Sequence, residues 1–287
     1  MMTNVCKALL NILKQPNNQL KETFKSGTKV NRMGDSLEEY IKNCFADTFD
    51  QTDKEKNVEI HSKIFSWQGT QNNPPDLILK GSDAIEVKKI GGFGSIALNS
   101  SYPKAKLKSS SSMITNECRA CENDDEWEKE LVYALGTVNK KNIIKVLFFI
   151  YGSLYAAGDE IYSRIKNNIA DGVEKTPNVV FSKTNELGRV NSVDPLGITQ
   201  LRIRGMWQIY HPYRVYDYLY EVDKESDKID DYIIYSFIPN DQIEKMSDDF
   251  SELEKRKNVN IYDKKIKNPN NPSKLIDIKL IKIVINY

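Results

Sequence analysis

Two carboxylates and a lysine lie close together in the segment Asp76-Leu-Ile-Leu-Lys-Gly-Ser-Asp-Ala-Ile-Glu-Val-Lys88, which Pro74 and Pro75 precede. Glu86 and Lys88 are two residues apart, so on a strand they share one face while Ile85 and Val87 take the other. Asp76 opens the preceding apolar run, and a hairpin would lay it beside them. Two carboxylates converging near an ammonium can hold Mg²⁺ through oxygen ligands and leave positions open for water and a phosphate. That is the chemistry of a metal-dependent phosphodiesterase. The bland alternative is a half-buried hairpin with a solvated charged face.

The surrounding residues decide between the two. Leu77 and Leu79 alternate with Ile78 and Lys80, Gly81-Ser82-Asp83 supplies turn chemistry, and Ala84 to Ile90 alternates again. Upstream, Gly34 to Phe45 predicts an amphipathic helix with Leu37, Tyr40, Ile41, Cys44 and Phe45 inward and Asp35 or Ser36 as N-cap. Downstream comes Gly91-Gly92-Phe93-Gly94, and glycines beside such a strand let backbone approach a ligand closely. Then Asn99, Ser100, Ser101, Tyr102, Lys104, Lys106 and Lys108 offer donors for phosphates and base edges. Beside a phosphodiesterase site they form the natural DNA-facing segment. Arg202 and Arg204 fall on one face of an expected strand, Ile198 to Ile209, after a Gly188 to Gly197 loop. They can read guanine in bidentate fashion or pair with an internal acid.

The remaining chain predicts a helix over Val5 to Leu13 that Pro16 breaks, then strands over Leu131 to Val138 and Ile143 to Tyr151 about an Asn139–Asn142 turn. Further expectations are a helix over Asp159 to Glu174, strands at Val179–Ser182, Asp231–Ile238 and Leu275–Val284, and a helix over Asp241 to Lys255. Asn268 to Ser273 is a surface connection. The order implies a mixed α/β fold, a central mixed sheet with flanking helices. With 287 residues, 40% of them hydrophobic and 28% charged, the chain is globular and long enough for one domain with elaborations. Its catalytic core would span about 33–150, with recognition and C-terminal elements over about 151–287. A net charge of +1 means that any DNA contact rests on a local basic patch.

Other chemistries fail on their residue requirements. Cysteines at 6, 44, 118 and 121 give no disulfide framework, which points to a reducing cytoplasm. Cys118-x-x-Cys121 lacks a second ligand pair, and with only His61 and His211 available a zinc site is not expected. No signal-peptide pattern or membrane-length apolar run is present. His61-Ser-Lys63 imitates a phospholipase-D-type motif, but Gln68 stands where that motif needs Asp, so His61 is expected at the surface or in a hairpin. No Gly-x₄-Gly-Lys-Ser/Thr loop exists, so a nucleotide-driven motor is excluded and no nucleotide cofactor is expected. Gly92-x-Gly94-x-x-Ala97 formally matches a dinucleotide fingerprint, yet Asn99-Ser-Ser-Tyr-Pro103 would stop the helix it should open.

The Pro-Asp…Glu-x-Lys pattern resembles the PD-(D/E)xK nuclease core. More specifically, Asn72-Asn-Pro-Pro-Asp-Leu-Ile-Leu-Lys80, Ala84-Ile-Glu-Val-Lys-Lys89, Ala97-Leu-Asn-Ser-Ser-Tyr-Pro-Lys104, Asp194-Pro-Leu-Gly-Ile198 and Leu201-Arg-Ile-Arg-Gly205 resemble the NgoPII family of type II restriction endonucleases. The resemblance runs from Met33 to about Gln208. It implies a restriction-endonuclease-like fold and Mg²⁺-dependent cleavage of double-stranded DNA at GGCC, with Asp76 and Glu86 as metal ligands and Lys88 orienting or activating the attacking water. Gly34-x-x-Leu-Glu38 resembles the superfamily's N-terminal helix, whose glutamate points at the metal site; Glu39 is the competing candidate. A palindromic target presents two equivalent scissile phosphates, which a homodimer would match. The Tyr210 to Tyr220 stretch is a candidate interface, with aromatic core packing as its alternative. The competing functions are a repair or recombination nuclease on the same core and a DNA-binding protein without catalysis.

Overall fold

Asn4 caps the first helix, α1 (Val5–Lys14): its side chain accepts from the Lys7 amide, and the chain leaves the helix just before Pro16. The computed structural model describes residues 2–20, 29–70, 73–177, 180–182, 186–219 and 231–286, with 29–35 as backbone only. Helix α2 (Lys29–Ala46) begins well before the apolar stripe suggests, so Asp35 and Ser36 lie inside it rather than capping it. Its expected stripe, Leu37, Tyr40, Ile41, Cys44 and Phe45, is buried. Helix α3 (Lys54–Ile64) is capped by Asp53, whose carboxylate accepts from the Glu55 and Lys56 amides. His61 lies on it, buried, with Nε2 at 3.2 Å from Thr48 Oγ1. The surface or hairpin placement expected for His61 is therefore wrong.

The strands follow: β1 (Phe65–Thr70), β2 (Asn73–Leu79), β3 (Ala84–Ile90), β4 (Ile96–Asn99) and β5 (Lys106–Lys108). After the short α4 (Asn116–Arg119) come β6 (Glu128–Val138) and β7 (Ile144–Tyr151), then α5 (Gly152–Tyr155) and α6 (Asp159–Glu174). Four short strands, β8 (Val180–Phe181), β9 (Gly188–Asn191), β10 (Leu201–Ile203) and β11 (Trp207–Ile209), lead to α7 (Pro212–Val215). The chain ends with β12 (Tyr232–Pro239), α8 (Asn240–Ile243), a 3₁₀ turn (Glu244–Met246), α9 (Ser247–Glu254), β13 (Val259–Asn268) and β14 (Asn271–Ile285). Three expectations change. Asp241 to Lys255 is broken into a helix, a 3₁₀ turn and a second helix. Ile198 to Ile209 is two strands in separate sheets, and part of the Gly188 to Gly197 loop is β9.

One large mixed sheet dominates, in the order β1-β2-β3-β6-β7-β12-β14-β13, with β5 pairing off β6. Its β3–β6 and β7–β12 pairs are parallel and the rest antiparallel. Every residue of β12 and nearly every residue of β7 is buried, as strands covered on both faces require. Helix α2 packs on β3, α1 on α2 and α9, and α9 on β13. This is the mixed α/β arrangement expected, a central sheet flanked by helices. Small sheets β10-β9-β8 and β11-β4 lie apart from it. No helix among the described residues is long and apolar enough to cross a membrane.

Candidate active site

The hairpin forms because its turn and its register agree. Gly81 adopts φ +66°, Ser82 N–H donates to Leu79 O at 3.1 Å, and Leu79 N–H donates to Asp83 O at 2.9 Å. Leu77 then pairs with Ile85 and Ile78 with Ala84. The paired register ends one residue short of Asp76 and Glu86, which come next on the two strands. Leu77, Ile78, Leu79, Ala84 and Ile85 are fully buried, and each large side chain among them contributes about 1.5–3 kcal/mol to holding the pair. Slipping the register by one residue would turn the charged face into the core.

Asp76 Oδ2 accepts from the Val87 amide at 2.6 Å, and Lys88 Nζ donates to Glu86 Oε1 at 2.5 Å. The Asp76 carboxyl is enclosed although the residue keeps some surface, and burial, reinforced by Glu86, pushes it up to about 7. Burial alone would lower the Lys88 ammonium, but the Glu86 and Asp76 carboxylates outweigh it and the net shift is upward. The charges thus depend on one another. Among the described residues no group of three or more His, Cys, Asp or Glu stands ready to hold a metal by itself. Two hard carboxylates with an opening beside them suit Mg²⁺, which commonly takes one or two protein carboxylates and completes its shell with water and substrate phosphate.

Helix α2 brings Glu38 toward this point. Its charge acts on both Asp76 and Lys88, whereas that of Glu39 acts on His61. Glu38 Oε1 is held by Lys42 Nζ at 2.9 Å, one helical turn on. Lys42 escaped the sequence reading, although its i,i+4 spacing from Glu38 is the signal that finds it.

The DNA-facing candidates divide. Ser101, Tyr102 and Lys104 line a pocket of about 50 Å³ that Glu86, Pro74 and Pro75 also line. Lys104 Nζ lies 4.6 Å over the Tyr102 ring, and burial lowers its ammonium while Asp159 raises it. Tyr133, which β6 places beside Glu86, accepts from Lys104 N–H at 2.7 Å and donates to Lys104 O at 3.1 Å. Only the pairing of β3 with β6 reveals that role. Asn99 has φ +55° at the end of β4, and Ser100 lies with Glu186 and Trp207 around a smaller cleft. Lys106 and Lys108 are not brought to the site. They flank buried Leu107 on β5 and pair with Glu128, Lys106 at 2.8 Å and Lys108 at 3.1 Å, with Glu130 a second partner of Lys106.

Arg202 lies on β10 and Arg204 just beyond it, and both reach Glu186, at 2.8 and 2.6 Å. The internal-acid alternative is what the protein adopts here, with both arginine side chains still more than half exposed. In the tyrosine-rich stretch, Tyr216 is core and stacks on Phe237 at 4.5 Å, while Tyr210 and Tyr218 are exposed. Asn72, Val179 and Tyr220 lie outside the described residues.

Over residues 3–267 the chain matches the NgoPII restriction endonuclease family. It is 40% identical over 282 residues to the type II restriction enzyme NgoPII of Neisseria gonorrhoeae, covering 97% of this chain and 98% of that protein. No solved structure matches it at a significant level.

Proposed function

The chain belongs to the NgoPII restriction endonuclease family, and from that premise we propose Mg²⁺-dependent hydrolysis of double-stranded DNA at a short palindrome, GGCC, leaving 5′-phosphate and 3′-hydroxyl ends. The observation that carries this reading is the convergence of Asp76, Glu86 and Lys88 on one hairpin, with the Asp76 carboxyl pushed up to about 7. Two carboxylates forced together in a half-buried site are destabilised without a cation, which is what a metal site looks like before loading. When bound, a divalent cation supplies charge against the phosphate's developing negative charge and lowers the pKa of water. Asp76 and Glu86 would hold it.

Lys88 Nζ, already aimed at Glu86 Oε1, donates to the attacking water and keeps it in line with the scissile phosphorus. Glu38 adds negative charge behind Asp76 and Lys88. Lys104, its backbone fixed at both N–H and C=O by the Tyr133 hydroxyl, holds a phosphate next to the cut. Arg202 and Arg204 leave Glu186 to reach base edges. No step needs a nucleotide. Two strands require two such sites, which a homodimer on the palindrome supplies most simply.

Digestion of a DNA of known sequence, followed by sequencing of the fragment ends, tests the reading. Expected are breaks at GGCC with ligatable 5′-phosphates, lost on chelation of Mg²⁺. Breaks at a different fixed palindrome would replace the target and keep the chemistry. Random or branch-directed breaks would replace restriction by repair.

A further inference from the structure

The strip Gly91-Gly92-Phe93-Gly94 leaves the end of β3, directly after Glu86 and Lys88, and turns the chain toward β4. Its three glycines lack their usual reasons. None has the left-handed φ that favours glycine. A Cβ placed on Gly91, Gly92 or Gly94 would meet no heavy atom within 4 Å. The strip is nevertheless anchored, because the Phe93 ring packs 5.1 Å from buried His211 and 5.3 Å from Tyr213. The Gly92, Phe93 and Gly94 amides find no hydrogen-bond acceptor among the described residues. Glycine raises the entropy lost on folding. Three unforced glycines beside unused amides therefore fit a ligand that approaches closer than a Cβ would allow.

Position indicates the ligand. β3 ends at Ile90, and the four residues of chain from Lys88 to Gly92 span at most about 14 Å. A DNA strand climbs about 3.4 Å per nucleotide, so a duplex cut at Lys88 carries phosphates roughly three or four nucleotides away to this distance. We propose that the Gly91–Gly94 strip grips a phosphate flanking the cleavage point with its backbone amides. The inference rests on the endonuclease reading.

Gly92→Ala and Gly94→Ala test it, with binding measured in EDTA on a duplex containing the sequence that the wild type cuts. Alanine fits the backbone of both positions, so Tm should stay or rise slightly. The Kd should weaken at least about tenfold, as for loss of charge-assisted bonds to a phosphate. The salt dependence gives a further check: a neutral amide displaces no counterion, so the slope of log K against log salt should be unchanged, whereas Lys104→Ala should reduce it by about one. Binding within twofold of wild type in both variants would overturn the proposal, and so would weaker binding accompanied by a clear fall in Tm. If the wild type itself fails to cut DNA, the endonuclease reading fails; if it cuts and both variants bind as it does, only this inference fails.

Discussion

Asp76→Asn should stabilise the metal-free protein while abolishing cleavage. Burial, then Glu86, pushes the Asp76 carboxyl up to about 7 from its ordinary 3.8. A folded-state pKa raised in this way gives stability that is fully present below about 3.8 and lost as pH rises through about 7. The gap is worth at most about 4 kcal/mol at pH 8, taking ~1.36 kcal/mol per pH unit. Because Asp76 keeps some surface, about 2 kcal/mol is the better figure. The asparagine removes the charge and can still accept from the Val87 amide that now lies 2.6 Å from Asp76 Oδ2. Urea unfolding in EDTA should therefore show Asp76→Asn more stable than wild type by about 2 kcal/mol at pH 8 and by less than about 1 kcal/mol at pH 5. Adding Mg²⁺ should stabilise the wild type alone. A variant no more stable than wild type at pH 8, or an advantage that does not change with pH, would refute an enclosed, charge-crowded Asp76.

Glu38→Gln should slow cleavage roughly 10–100-fold in single-turnover assays with little change in Tm, and a full effect from Glu39→Gln instead would move the role one residue along. Lys104→Ala should weaken binding to all duplexes alike, whereas Arg204→Ala should cost about 1–3 kcal/mol at one base position; competition binding across single-base variants separates them, and no effect from either would leave this surface without a role. Tyr151→Phe removes the hydroxyl that donates to buried Asp83 at 2.9 Å, at the opposite end of the hairpin, and should lower unfolding stability by about 1–3 kcal/mol. Calorimetry checks this, and an unchanged Tm would show that Asp83 does not depend on that donor.

The hairpin from Asp76 to Lys88 was legible because its determinants are local: period-two alternation, a Gly-Ser-Asp turn and a two-residue spacing between Glu86 and Lys88. The α2 stripe was legible for the same reason, though not its start: Val30 and Met33 continue its spacing, but Gly34-Asp35-Ser36 looks locally like a helix N-terminus and hid the first turn and a half. Helix α3 was missed because it buries only His61 and carries almost no apolar periodicity. Edge strand β13 was missed because lysines and aspartate occupy its outer half, where it pairs with β14 at the edge of the sheet. The division between Lys104 and Lys106 is a long-range matter. Glu128 and Glu130 on β6 decide it, and their pairing with β5 has no local signature. Likewise Arg202 and Arg204 looked like one strand face because nothing nearby shows that β11 leaves to pair with β4, about a hundred residues earlier in the chain.

Cleavage by Glu86→Ala tests the assignment of the chemistry to this hairpin most directly. Wild type and variant would be incubated with a long duplex of known sequence and Mg²⁺, with DNA binding measured in parallel. Wild type should produce discrete fragments, and Glu86→Ala should bind the same DNA but leave it intact, because one of two carboxylate ligands and the partner of Lys88 are gone. The same fragments at wild-type rate from Glu86→Ala would place the reaction elsewhere in the protein.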